Sequence, residues 1–465
     1  MPSPTSAVCP VCRTVAPTGA RFCNQCGAIL AGGQGRQRRR VVVTGVGALT
    51  SVGLTAPASW QTILEGGTGI VSDPKLRELG LPCSVRGAVD HSQVVNHFLD
   101  PKTARNTSPF SLWMLEAAGE AMLDSGLLDA DLQPVIDFSS GGATIGTCVG
   151  GMYDDILPAY DTFTTRGADR ISPHLHVKFP LNMAGYTVQW RFGLMGPSNT
   201  VSTACATGTQ AIGEAYHTIA SGHAPMMVAG ATESTGSPLG TAGFAAMRAL
   251  VTDSNDNPQG ALRPFDASRA GFALGEGAGA LILEDLEFAR MRGARVYADI
   301  LGFAASKDAY HPIAPNPNGA GAAVAMRAAL ADAGLEPDAV GHIQAHAAST
   351  PAGDVAESNA ILLVYGARAT QIPVMSVKGA IGHCMGGAGA IESVLAVRSI
   401  AEQVIPPTLN FRNPDPEIPL DIVHGKPRPH TFDVLAKHGF GLGGQNACLI
   451  IGKAPDETDS RGVPA

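Results

Sequence analysis

Three sets of residues in this chain are equipped for chemistry: a lone cysteine among small residues, two histidines in glycine-rich stretches, and two C-x-x-C pairs near the start. The lone cysteine is Cys205, in Val201-Ser202-Thr203-Ala204-Cys205-Ala206-Thr207-Gly208. Ile212, Ala215, Tyr216 and Ile219 follow at helical spacing, and Gly222 stands where the helix would stop. Cys205 is therefore expected at a helix N-terminus, where unpaired N–H groups and the positive dipole end favour a thiolate. Its small neighbours leave room for a substrate, although a buried core cysteine is the commoner fate of such a residue. His346 lies in Gln344-Ala345-His346-Ala347-Ala348-Ser349-Thr350, at the end of a short apolar run, where open α/β sheets present their sites. His383 ends Val377-Lys378-Gly379-Ala380-Ile381-Gly382-His383, five residues after Lys378. A thiol with one histidine suits a protease. A thiol with two suits acyl-thioester chemistry, in which the sulfur takes an acyl group and two N–H donors hold an enolate oxygen.

The paired cysteines are Cys9, Cys12, Cys23 and Cys26. Two C-x-x-C turns can close a tetrahedral Zn²⁺ site with no open position, so a structural zinc is expected and no chemistry. The segment 1–30 is too short to bury a core and would draw its folding energy from the metal. A redox C-x-x-C is the weaker alternative, because no βαβ pattern surrounds it. Residues 31–40, rich in Gly and Arg, read as a linker.

The elements that must position these residues follow. Strand-like runs occur at Val41–Gly47, Ala143–Val149, Met226–Ala231, Ala280–Leu283, Tyr297–Leu301, Val374–Val377 and Ala447–Ile451. Helical patterns lie between them at Ser111–Leu123, Gly319–Ala333, Asp354–Leu363 and Ala388–Ile400. The alternation predicts an α/β fold with buried sheets. The opening glycines lack the third glycine of a dinucleotide fingerprint. Phe272-Ala273-Leu274-Gly275 precedes Leu281-Ile282 by the same offset that separates Phe440-Gly441-Leu442-Gly443 from Leu449-Ile450. This echo suggests two related halves, 41–293 and 294–452, with a loose tail at 453–465.

Composition narrows the class. The 465 residues are 45% hydrophobic and 15% charged, enough for a large core, and 56 glycines interleaved with apolar runs point to tight turns and close packing. A net charge of −8 argues against general nucleic-acid binding. No apolar run approaches a membrane span and no secretory pattern opens the chain, so a cytoplasmic protein with reduced thiols is expected.

Several motifs together resemble the β-ketoacyl–acyl-carrier-protein synthases, condensing enzymes of the thiolase superfamily, above all the elongating synthases of fatty-acid and type II polyketide pathways. They are TACATG, MVAGATESTGSPLGTAGFAAMRAL, RPFDASRAGFALGEGAGALILED, AHAASTPAGD, VKGAIGHCMGGAGAIES, PPTLNFRNPD and GFGLGGQN, spread from about Arg40 to Gly452. The resemblance implies a layered αβαβα thiolase-like fold and no catalytic cofactor. It implies acyl carrier protein as partner, and a homodimer or a heterodimer with a related subunit. Carried over by position, Cys205 is the acylated nucleophile, and His346 and His383 support decarboxylation and hold the enolate oxygen. Lys378 orders the site, with Glu392 and Phe272 in support. The N–H groups of Cys205 and Leu442 form the oxyanion hole, and Val149 lines the acyl channel. The chain departs from the family where Ala348 and Ile313 replace threonines expected on the pantetheine arm, while Thr350 remains. Each lost bond is worth about 0.5–1.5 kcal/mol. Leu442 stands in place of a gating phenylalanine. Two rival readings are a non-elongating assembly subunit, and a degradative thiolase with Cys384 as its second cysteine.

Overall fold

The structure is a computed structural model that describes residues 38–454. The four paired cysteines and the loose tail lie outside the described residues, except that its first two positions, Lys453 and Ala454, are described. Among the described residues, those from Arg40 to Ala454 belong to one compact unit.

Its main sheet is built from β1 (Val41–Thr50), β2 (Gly142–Gly146), β3 (Ser198–Val201), β4 (Met226–Glu233), β5 (Gly277–Asp285), β6 (Ala298–Lys307), β7 (His342–Gln344), β8 (Pro373–Met375), β9 (Asp421–Ile422), β10 (Val434–Gly441) and β11 (Gln445–Lys453). Their order is β9-β8-β7-β10-β11-β6-β1-β5-β4-β2-β3. The central strands are buried along their whole length: β1 reads VVVTGVGALT, and every residue is inside. Such continuous burial is what a sheet covered on both faces requires.

The pairing directions repeat. From β1 outward they run antiparallel to β5, antiparallel to β4, then parallel to β2 and β3. From β6 outward they run antiparallel to β11, antiparallel to β10, then parallel to β7 and β8. The two wings meet only where Val41–Val43 pair with Ile300–Ala298.

Six helices cover the wings. On one outer face lie α1 (Pro109–Asp124) and α2 (Met183–Phe192), on the other α4 (Ala320–Ala333) and α5 (Pro351–Tyr365). Between the wings run α3 (Thr207–Ala220) and α6 (Met385–Glu402), the latter buried at nearly every position. A helix apolar all round is a helix packed all round. The fold is mixed α/β, and the strands and helices expected at the positions named above are present. Their bounds differ by a few residues, as at β6, which runs on to Lys307.

The two central helices touch through glycine. A Cβ on Gly208 would sit 2.3 Å from the backbone nitrogen of Ala390 and 2.9 Å from the carbonyl carbon of Gly389. Backbone cannot yield as a side-chain tip does. Gly208→Ala is therefore expected to cost about 1–3 kcal/mol and to lower the midpoint of thermal unfolding by several degrees, against a gain for Gly→Ala in an open helix.

Candidate active site

Cys205 lies two residues before α3, in the turn between β3 and that helix. The turn is tight: Ala204 has φ 49°, a left-handed conformation that a residue with a Cβ adopts only under constraint. No side chain caps α3. Thr207 instead turns its hydroxyl back to accept from the N–H of Thr203 at 2.7 Å. β10 passes directly over this turn. A Cβ on Gly441 would lie 2.7 Å from the Cys205 nitrogen, so only glycine lets the strand come this close. The N–H of Leu442, just beyond, and that of Cys205 itself face the sulfur.

His346 follows β7, and His383 follows the short helix Lys378–Ile381. Their rings meet at 5.3 Å between centroids and 78°. Phe272 packs edge-on to His383 at 5.1 Å. His383 is held by its backbone, which donates to Ala273 O at 2.9 Å and accepts from Gly275 N at 2.8 Å. Its Nδ1 is buried and without a hydrogen-bond partner. The backbones flanking both histidines are again left-handed, at Ala347 (φ 21°), Ser349 (φ 67°) and Met385 (φ 46°).

One cavity of about 350 Å³ joins Cys205, His346, His383, Phe272 and Leu442. Ile313, Ala348 and Thr350 also line it. The Thr350 hydroxyl accepts from Gly353 N and so caps α5, which leaves its proton and one lone pair for a ligand. The segment bearing Ile313 is tied to the Leu442 turn: Gly443 N donates to Pro312 O at 2.9 Å, and Asn446 donates to Asp308 at 2.8 Å. Val149 is not on this cavity; its N–H donates to Glu233 at 3.0 Å. Cys384 is also off it, fully buried, with its sulfur toward Glu276 O. A thiol so placed cannot serve as a second reacting sulfur, which speaks against the degradative thiolase.

Burial governs the titrating groups. It pushes the Cys205 thiol up to about 12, against the pull of Lys378 and the two backbone N–H groups. The helix-end thiolate expected from the sequence is thus a thiol at neutral pH, because desolvation of the anion outweighs the helix terminus. Burial also drives His346 and His383 well below the ordinary histidine value, with Lys378 adding to it. Both rings are neutral at pH 7, and each keeps one N–H to donate.

Behind the rings, Lys378 is fully buried, pairs with Glu392 at 2.5 Å, and donates to the carbonyl of His346. Four further groups were not expected. Glu233 is fully buried and accepts from Thr147 Oγ1 and from the N–H of Cys148, Val149 and Gly386, tying the β2 loop to the start of α6. Glu357 accepts from the N–H of His346 and of Ala347. His438 lies 3.0 Å from that same carboxylate, and Lys437 lies 2.9 Å from Glu392. The signal available was charge inside apolar patterns: Lys437-His438 interrupts the strand run VLAKHGFG, and Glu357 falls on the inner side of α5. Charged residues are almost never fully buried unless paired.

A cysteine before a helix sandwiched between two sheet wings, facing two neutral histidines across an apolar cavity, defines a thiolase-like enzyme. The chain belongs to the β-ketoacyl synthase family. The N-terminal domain of that family matches residues 38–289 and the C-terminal domain residues 297–412. The chain is 41% identical over 418 residues to 3-oxoacyl-[acyl-carrier-protein] synthase 2 of Synechocystis, covering 90% of this chain and 99% of the relative. It is 39% identical over 422 residues to the enzyme of the same name from Coxiella burnetii, covering 90% and 100%. Among solved structures it is similar to a type II PKS acyl-carrier protein in complex with its ketosynthase bound to the hexaketide, at 32% identity and TM-score 0.81, covering 90% of this chain and 100% of that one. It is likewise similar to a β-ketoacyl synthase from Burkholderia phymatum, at 31% identity and TM-score 0.82, with the same coverage.

Proposed function

We propose that this protein is a 3-oxoacyl-carrier-protein synthase working by ping-pong condensation. The observation that carries the reading is the meeting of Cys205, His346 and His383 on one apolar cavity. An acyl thioester of the carrier transfers its acyl group to Cys205: the carrier's C–S bond breaks, a new thioester forms, and the cysteine proton leaves with the carrier thiol. Malonyl-carrier then enters. Its carboxylate departs as CO₂, and the electron pair becomes an enolate whose oxygen accepts from the N–H groups of His346 and His383. The enolate carbon attacks the acyl carbonyl, whose oxygen turns toward the N–H groups of Cys205 and Leu442. Collapse expels the Cys205 thiolate, which takes up a proton. The sum is acyl-carrier plus malonyl-carrier plus a proton giving 3-oxoacyl-carrier, CO₂ and free carrier thiol.

No cofactor enters this scheme. Lys378, Glu392 and Phe272 order the histidines, while Ala348, Ile313, Thr350 and Leu442 line the cavity and shape what it accepts. Incubation with acyl- and malonyl-carrier protein tests the reading. A covalent acyl adduct on the chain, then CO₂ and a product two carbons longer, is the expected outcome. An adduct without elongation would instead favour the assembly subunit.

The halves 41–293 and 294–452 are read as related domains, supported by the repeated pairing order of the two wings. Dimerisation is part of the proposal. It is supported by β3, a sheet edge whose Ser198, Asn199 and Thr200 are exposed, and by exposed Tyr186, Trp190 and Met195 nearby. Sedimentation of the full chain reads it directly. Among the described residues no helix is long and apolar enough to cross a membrane. For the leading segment, Cys9, Cys12, Cys23 and Cys26 are proposed to hold one structural zinc. Elemental analysis of freshly reduced protein should find about one zinc per chain, lost in the Cys9→Ser/Cys12→Ser variant. A metal-free reduced protein would sink this claim.

A further inference from the structure

Lys437 is as fully buried as Lys378, and no step above uses it. It sits on β10, paired in register with Gln344 of β7, two residues before His346. Its Nζ lies 2.9 Å from Glu392 Oε2, donates to Thr209 Oγ1 of α3 at 2.9 Å, and donates to His438 O at 2.5 Å. Lys378 holds the other oxygen, Glu392 Oε1. Two ammonium groups thus share one carboxylate in a dry core, with the Glu357 carboxylate the next nearest negative charge to Lys437.

We infer that Lys437 is a positioning residue for the reaction proposed above: with Lys378 it grips both oxygens of Glu392 and places a second positive charge behind His346 and His383, anchored on the nucleophile helix. The inference rests on that reading of the site. A lone Lys378–Glu392 pair would be neutral and would leave the histidines easier to protonate. A protonated ring carries an added positive charge in a site already crowded with cations, and the added lysine opposes that state. Burial lowers the Lys437 ammonium and the Glu392 carboxylate opposes the loss. Lys437 in turn adds to the depression of both histidines.

Other titratable groups face the pair, among them the buried thiols of Cys448 and Cys384, both raised by burial and so uncharged at pH 7. Glu357, on α5, is taken by His438 and by the N–H groups of His346 and Ala347. Glu233, at the end of β4, is taken by Thr147 and three N–H groups. Cys205 is a thiol, and Lys378 is paired as described.

The test is the pH profile of CO₂ release from malonyl-carrier by the full chain, with Lys437→Met, Lys437→Gln and Thr209→Val. Removing a positive charge raises the histidine pKa, so the acid limb of both Lys437 variants should move to higher pH, by about one unit. Thr209→Val removes a hydrogen bond of Lys437 but no charge, and its limb should stay with the wild type. The glutamine variant keeps a donor toward Thr209 and so guards against a folding defect in the methionine one. Acylation of Cys205, read by intact mass, should persist in both. A purely structural Lys437 would reduce the folded fraction and leave the limb in place, and that result overturns the inference. No CO₂ release by the wild type would overturn the proposed function itself, and this inference with it.

Discussion

Cys205→Ala should carry no acyl group and should condense at least ~10³-fold more slowly than the wild type. The sulfur is the only atom removed, and alanine fits where Ala204 and Ala206 already pack, so folding should survive. Intact mass after incubation with acyl-carrier reads the adduct, and chromatography of the products reads the condensation. Elongation by the alanine variant would refute the covalent route. The resting state adds a pH signature. With the thiol pushed up to about 12, only about one molecule in 10⁵ is thiolate at pH 7. Alkylation of Cys205 should therefore climb roughly tenfold per pH unit through the whole range of stability. A helix-end thiolate of depressed pKa would already have reached a plateau. A plateau near neutral pH would mean that the carrier-free site is wetter than its burial implies.

His383→Ala separates the two half-reactions. Cys205 should still accept an acyl group, because the N–H donors of Cys205 and Leu442 are untouched. Loss of CO₂ from malonyl-carrier should fall by about 10²–10³, the usual effect of removing one donor from a developing oxyanion. His346 remains, but its ring loses the neighbour it meets at 5.3 Å, and Phe272 loses its edge contact. Single-turnover acylation and CO₂ release, measured on the same sample, give the split. Equal losses in both would mean that His383 serves the whole site and not decarboxylation in particular.

Much of the frame was legible because buried strands and a helix with a regular apolar face announce themselves by period. The helix after Cys205 is the clearest case: Ile212, Ala215, Tyr216 and Ile219 are all buried. The partners of the cysteine were legible through motif resemblance and not through spacing, since histidines 141 and 178 positions away carry no local pattern. What stayed hidden is geometric. Ala204, Ala347, Ser349 and Met385 are ordinary residues in sequence, yet each is held left-handed beside a reacting group. The protonation state of Cys205 was misread because a helix terminus is a local property, whereas desolvation depends on everything packed around the sulfur. Val149 was placed on the acyl channel by position in a motif, and the structure adds a bond that the motif did not announce, from its N–H to Glu233. Lys437 and Glu357 passed unnoticed because their partners come from other elements, distant along the chain.

The seam between the wings has a consequence for how the protein is made. Val41 pairs with both Asp285 and Ile300, so the first strand stays unpartnered on the emerging chain until the middle of the sequence has left the ribosome. Leu442 comes later still, and with it the second N–H at the sulfur. Synthesis therefore delivers the cysteine well before the two histidines and the Leu442 turn that complete its site. The delay leaves long apolar strands waiting for distant partners, which makes this a slow-folding topology.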